Sequence, residues 1–300
     1  MKYNWKIIGH QKQLTEIEQD ILSGNIAHAY LLSGPDGVGK YSVAKKMANI
    51  LQCENDFCHE CSACLQMAKG SQIDTVEMVN DGSSIKIEEV RKLTERMNMT
   101  RQSPYKVVLV DSLERMTTEA ANSFLKMLEE PPERTVFILT TNNIKQLLPT
   151  VVSRVRVIKF GQLPHEVLKG ELANIGQDVT EETLNMVSLF AQGKAGKAIS
   201  LLESPDVLAG YVKIYHQVQN LLGTRNVVDR FAYIDELIED EAQLENFFAI
   251  ITAVMRSRML EEPHDGERYI NALSKIQEAG VFLKKNINVK LVLENLMLNI

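Results

Sequence analysis

Gly34-Pro35-Asp36-Gly37-Val38-Gly39-Lys40 has the composition and spacing of a phosphate-binding loop. In such a loop the glycines let successive backbone N–H groups face phosphate oxygens, and a lysine at a helix N-terminus adds positive charge. Gly34, Gly37, Gly39 and Lys40 supply those parts. The next residue, where Ser or Thr would hold magnesium, is Tyr41. A second line, Val107-Val108-Leu109-Val110, delivers Asp111 to a strand end, but Ser112 follows it where a water-activating Glu would be needed. Weak binding of ATP or ADP stays open, the alternative being a loop whose glycines serve turn geometry alone. Hydrolysis is not expected.

The four cysteines, Cys53, Cys58, Cys61 and Cys64, fall in one short stretch. Secreted disulfide frameworks spread their cysteines to staple distant segments, whereas closely spaced Cys-x-x-Cys units wrap a single ion. Four thiolates suit a tetrahedral structural Zn2+ site. The alternative is four free thiols. His59 lies inside the knuckle and is not needed as a ligand.

These groups need a scaffold, and residues 1–160 alternate short apolar runs with helical patterns, as in an α/β domain with a mostly parallel sheet. Strands are predicted at 29–32, 75–79, 107–110 and 136–139, the last ending in Thr140-Thr141-Asn142. Helices are predicted at 42–51, with Val43, Met47, Ile50 and Leu51 on the buried face, at 87–97, and at 119–128, stopped before Pro131-Pro132. A strand feeding the glycine loop and a helix leaving it is the context a phosphate loop requires. A smaller helical segment follows to Glu203, including a helix at 181–190 and a second one after Gly193-Lys194-Ala195-Gly196-Lys197. Beyond Ser204 the pattern is helical throughout, with Leu244, Phe247, Phe248, Ile251 and Met255, and later Leu291, Leu293, Leu296 and Leu298, at helical spacing. The acidic run from Asp235 to Glu241 reads as a solvated helix face or loop.

With 300 residues, 45% hydrophobic and 24% charged, the chain suits two or three globular domains. A formal net charge of -6 excludes a global basic field for DNA, so any nucleic-acid contact is local or made through partners. No signal-peptide core is evident and no run approaches the ~20 apolar residues of a membrane span, so a cytoplasmic protein is expected.

Several lines together resemble the AAA+ clamp-loader family of bacterial DNA polymerase III. They are Ala27-His28-Ala29-Tyr30-Leu31-Leu32-Ser33-Gly34-Pro35, the cysteine knuckle directly after the loop helix, and the stretch from Lys106 to Thr117. Two more are Ala121-Asn122-Ser123-Phe124-Leu125-Lys126-Met127-Leu128-Glu129-Glu130-Pro131-Pro132 and Leu148-Pro149-Thr150-Val151-Val152-Ser153-Arg154. The resemblance extends over residues 5–200, and the C-terminal helices are similar to the family's collar more weakly.

The resemblance implies an AAA+ P-loop domain at 1–160 with a zinc module at 53–64, a helical lid at 161–204 and an all-α collar at 205–300. It implies a hetero-oligomeric ring with gamma or tau motor subunits and a delta subunit, acting on a sliding clamp and primed DNA within a DNA-directed DNA polymerase (nucleotidyltransferase) holoenzyme. Thr141 and Asn142 stand where the family has its γ-phosphate sensor, and Lys197 near its second sensor. Ser153-Arg154 matches the first two residues of the family's Ser-Arg-Cys motif, with Val155 third, which makes Arg154 an arginine finger toward a neighbouring subunit; outside the family context a surface salt bridge is the ordinary role. Tyr41 and Ser112 depart from the motor pattern and favour a non-hydrolysing ring member. The rivals are an ATP-hydrolysing gamma/tau motor and a zinc-knuckle nucleic-acid-binding module with a vestigial nucleotide fold.

Overall fold

A computed structural model describes residues 2–55, 57–79, 81–175, 179–224, 226–238, 241–285 and 287–300. By contacts the chain divides into two compact units, the residues up to Leu163 with Lys194–Gly196, and Pro164–Gly193 with Lys197–Ile300.

The first unit runs α1 (Gln11–Ser23), β1 (Ala29–Ser33), α2 (Lys40–Gln52), α3 (Ser62–Ala68), β2 (Thr75–Met78), α4 (Ile87–Met97), β3 (Lys106–Val110), α5 (Thr118–Glu129), β4 (Thr135–Thr141), α6 (Pro149–Val152) and β5 (Arg156–Lys159). Among the described residues its five strands form one parallel sheet in the order β2-β3-β4-β1-β5. The α/β domain expected from the sequence is present, and β4 lies between the strand that feeds the loop and the strand that ends at Asp111. The glycine loop after β1, the turn at Asp111 after β3 and the Asn142 loop after β4 all leave the carboxyl edge, where ligands bind in open α/β sheets.

β1, β3 and β4 carry continuous apolar runs because the sheet is covered on both faces. Tyr30, Leu32, Val107, Leu109 and Ile138 pack with Leu14 of α1 and Val43 and Met47 of α2. The alternate residues Leu31, Val108, Val110, Phe137 and Leu139 pack with Val90 and Leu93 of α4 and Phe124 of α5. Local signals set the helix ends. Lys86 N donates to Glu89 Oε2 at 2.8 Å in a capping box before α4, and Thr117 Oγ1 accepts from Ala120 N at 3.2 Å before α5. α1 is tied to β5 by charge: Arg156 reaches Asp20 at 2.6 Å and Glu16 at 3.0 Å, and Asp20 also accepts from the Tyr30 hydroxyl at 2.9 Å.

The second unit is helical: α7 (His165–Ile175), α8 (Glu181–Ala191), α9 (Ala195–Glu203, its first two residues grouped with the first unit), α10 (Pro205–Gly223), α11 (Val227–Leu237), α12 (Glu241–Glu261), α13 (Gly266–Lys284) and α14 (Val289–Leu298). Phe247, Ile251 and Met255 are buried on α12 as the periodicity predicts. On α14 the prediction is half right. Leu293 and Leu296 are buried with Val292 and Met297, whereas Leu291 and Leu298 are more than half exposed, because only one stripe of so apolar a helix can face inward. In the acidic run Asp235 pairs with Lys290 at 2.6 Å; Glu239 and Asp240 lie outside the described residues. Among the described residues no helix is long and apolar enough to cross a membrane.

Candidate nucleotide and metal sites

The loop from Gly34 to Lys40 has backbone conformations that demand its glycines. Gly37 and Gly39 adopt φ of 77° and 98°, and a Cβ on Gly34 would stand 2.1 Å from the Phe160 carbonyl oxygen. Gly34 N donates to Thr141 O at 3.1 Å, which seats the loop on the end of β4. His10 supports the other side. Its Nε2 lies 3.0 Å from the Val38 carbonyl, which only accepts, so this nitrogen carries the proton, and burial lowers the ring's pKa toward the neutral form.

Lys40 is only 6% exposed. Its ammonium donates to Gly34 O at 2.9 Å, Pro35 O at 2.8 Å and Asn142 Oδ1 at 2.8 Å. Burial pulls its pKa down, and the nearby carboxylates of Asp36, Asp111 and Glu114 oppose that shift. The lysine and one predicted sensor residue, Asn142, are thus brought together, while Thr141 holds Gly34 N through its backbone oxygen and Asn143 N through its hydroxyl.

The two departures from a hydrolytic site are visible in three dimensions. Tyr41, in the first turn of α2, donates from its hydroxyl to Glu77 Oε2 at 2.9 Å, and Lys45 pairs with the same carboxylate at 3.3 Å. Desolvation and that carboxylate raise the Tyr41 pKa, so the phenol stays protonated and is committed to β2. Ser112 is 5% exposed with φ of 60°, and its N–H donates to Thr140 Oγ1 at 2.9 Å. Thr140 in turn donates to Asp111 Oδ1 at 2.6 Å. Sequence reasoning missed Glu114, in a 3-10 turn at Leu113–Arg115: its Oε1 accepts from Asn142 N at 3.0 Å, and its buried Oε2 has no hydrogen-bond partner. An acidic residue two positions beyond Ser112 was the available signal.

The cysteines begin at the far end of α2, a helix about 20 Å long at 1.5 Å per residue. Their four sulfurs all lie within 4.8 Å of one another. Cys53 Sγ is 3.6 Å from Cys58 Sγ and 3.9 Å from Cys61 Sγ. A tetrahedron with ~2.3 Å metal–sulfur bonds has an edge of about 3.8 Å, so the set fits one ion, and the separations are far beyond the ~2.05 Å of a disulfide. Backbone N–H groups of Asn55 and Cys58 donate to Cys53 Sγ at 3.4 and 3.3 Å. Amides of Glu60 and Cys61 draw the Cys58 thiol down to about 7, while burial pushes Cys64 up. The four cysteines could therefore hold a metal ion. His59 does not join them; its ring lies 4.1 Å from that of Phe57, which is buried in the core beside α2.

Arg154 follows α6 at the amino edge of the sheet, two residues before Arg156 pairs with the start of β1. It donates to Thr150 O at 2.9 Å and pairs with Glu129 at 2.8 Å, both side chains about 40% exposed. The phosphate loop lies at the opposite edge, so Arg154 does not belong to the loop of its own chain. Lys197, in the second unit, holds its ammonium 4.7 Å from the Tyr211 ring centre.

Residues 9–164 match the protein family described as "DNA polymerase III, delta subunit". The chain is similar to the DNA polymerase III subunit gamma of Buchnera aphidicola subsp. Schizaphis graminum, 32% identical over 247 residues, 79% of this chain and 68% of that protein. It is 29% identical to the subunit tau of Escherichia coli K12 over 243 residues, 78% of this chain but only 38% of that longer protein. A DNA polymerase III gamma subunit-related protein from Thermotoga maritima superimposes with a TM-score of 0.50 at 20% identity, over 96% of this chain and 97% of that chain, a likeness of fold. With the family match spanning more than half of its residues, this chain belongs to the AAA+ clamp-loader subunits of bacterial DNA polymerase III.

Proposed function

We propose that the chain is the delta-prime subunit of a cytoplasmic clamp loader, a non-hydrolysing stator that helps load the sliding clamp on primed DNA. The observation that carries this reading is the first turn of α2, where the hydroxyl needed for magnesium is replaced by a phenol bonded to Glu77. Ser112, buried and bonded through its N–H to Thr140, offers no carboxylate to a water. In this reading Gly34, Gly37, Gly39 and Lys40 bind ATP or ADP weakly at most, and Cys53, Cys58, Cys61 and Cys64 hold a structural Zn2+. Residues 161–204 serve as the lid and 205–300 as the collar of a ring shared with gamma or tau motors and a delta subunit. Arg154 reaches the nucleotide of the neighbouring motor, a role supported by its distance from its own loop.

The test is reconstitution. The isolated chain should show no ATP turnover above background, yet be required for clamp loading when combined with motor and delta subunits. Turnover by the isolated chain at motor rates would favour the second reading, a gamma-type motor, for which the 32% identity to a gamma subunit and the carboxylate of Glu114 speak.

A further inference from the structure

The second unit contains a cavity of about 460 Å³ where α10, α11, α12 and α13 meet the residues after α14. Three guanidinium groups from three helices line it: Arg230 of α11, Arg258 of α12 and Arg268 of α13. Glu267 is the one acidic side chain in the lining, beside these three arginines. Among the described residues neither Arg258 nor Arg268 has a carboxylate within ion-pairing distance. The chain as a whole is acidic, which makes this local excess unusual within it.

Arg230 is spent on structure. Its Nε and Nη2 donate to Thr224 O at 3.2 and 2.9 Å, and its Nη1 to Met297 O at 2.6 Å and Ile300 O at 3.3 Å. Arg258 uses one Nη2 bond, to Gln219 Oε1, and Arg268 makes no hydrogen bond among the described residues. A guanidinium has five N–H donors, so most of those on Arg258 and Arg268 are uncommitted. Both also lie in the electrostatic neighbourhood of Tyr269, whose hydroxyl donates to Glu262. The first turn of α13 forms part of the wall, and its N-cap Asp265 makes no side-chain cap, so the positive end of that helix adds to the field. Leu222, Met255 and Ala272 supply an apolar wall. The volume falls in the ~300–1,000 Å³ range of ligand pockets and exceeds what a bare inorganic anion would fill.

We propose that this cavity receives an oxyanion, carboxylate or phosphate, carried on an apolar stem, with Arg258 and Arg268 as the forked donors. The source is an acidic segment of a partner protein or a free organic acid, and the test separates them. The full chain is titrated at constant ionic strength with an end-blocked Leu-Asp-Asp-Leu peptide, with its Leu-Asn-Asn-Leu counterpart and with hexyl phosphate, following arginine Nε–H NMR signals and heat of binding. The acidic peptide, hexyl phosphate or both should shift the Arg258 and Arg268 signals, and the Asn peptide should not. Stronger binding of the acidic peptide points to a protein segment, and stronger binding of hexyl phosphate to a small ligand. Arg258→Gln with Arg268→Gln should weaken binding about tenfold or more. Arg268→Gln alone, at an exposed side chain, leaves the fold intact and should weaken it in the same direction. Silence with both anionic probes, an equal response to the Asn peptide, or affinity unchanged in both variants would overturn the proposal.

Discussion

Asn142 Oδ1 accepts a hydrogen bond from the Lys40 ammonium at 2.8 Å, joining two loops that leave the same edge of the sheet. Glu114 fixes the Asn142 backbone from behind, so the lysine that should meet a phosphate is held by a three-oxygen cradle with a braced wall. Asn142→Ala removes one acceptor from a buried cation and should lower stability by ~1.5–3 kcal/mol in a urea titration, the range for hydrogen bonds to charged groups. ADP, which has no γ-phosphate for Asn142 to sense, should bind the variant at least as tightly as the unmodified chain. Calorimetry showing weaker ADP binding would mean that Asn142 presents Lys40 rather than restrains it.

The unmodified chain should release phosphate from ATP no faster than a protein-free blank. Tyr41→Thr with Ser112→Glu restores both residue types, but Ser112 is buried in a left-handed backbone conformation. A larger charged side chain there should cost about 1–3 kcal/mol, so the double variant should be less stable and gain little turnover. Motor-like turnover in the double variant, with stability unchanged, would show that these two losses alone silence the site.

Metal analysis of protein purified without chelator should find one zinc per chain. Cys61→Ser should lose it and disorder the knuckle while the sheet survives, because the cysteines follow α2 rather than forming part of its packed face. Structural zinc contributes roughly 10–16 kcal/mol of apparent binding energy in small peptides, ample for so short a segment. Amide exchange localised to the knuckle is the expected readout, and protection unchanged in the variant would speak against a metal-held segment.

Arg154→Ala breaks an exposed ion pair with Glu129, a contact worth at most ~1 kcal/mol, so folding and zinc content should hold. DNA- and clamp-stimulated ATP turnover of the reconstituted ring should fall, by less than the about 10³–10⁵ that such arginines contribute in single-site systems. Glu129→Gln breaks the same ion pair and is the control: it should leave turnover unchanged. Equal loss in both variants would make the ion pair, not the guanidinium, the active element.

Gly34→Ala would set a methyl group 2.1 Å from the Phe160 carbonyl oxygen, a backbone atom that cannot swing away. A loss of about 2–4 kcal/mol is expected, within the range for overpacking against a rigid wall. Thermal unfolding within a degree of the unmodified chain would show that β1 and the segment after β5 can part freely.

The sheet was legible where burial on both faces leaves continuous apolar runs, as in β1, β3 and β4. β5 escaped because Arg156 and Lys159 bracket only Val157 and Ile158, and Arg156 is there to meet Asp20 and Glu16. α1 escaped for a related reason: two of its buried positions are Glu18 and Asp20, which pattern reading assigns to the surface. The cysteine cluster could be read from spacing alone, since four ligands in one short stretch can only close on themselves. Glu114 could not, because its approach to Asn142 depends on how the turn after Ser112 and the end of β4 meet.

Glu18 also anchors the only tryptophan. It accepts from the Trp5 indole at 3.1 Å and from Tyr3 N at 3.3 Å, and Trp5 is 2% exposed. Indole emission therefore reports the melting of the first unit and is blind to the helices of the second, whose loss dominates far-ultraviolet ellipticity. Denaturation curves recorded by the two optical signals act as separate gauges for the two units. Coincident midpoints would mean cooperative unfolding, and a gap between them would measure how far each unit melts on its own.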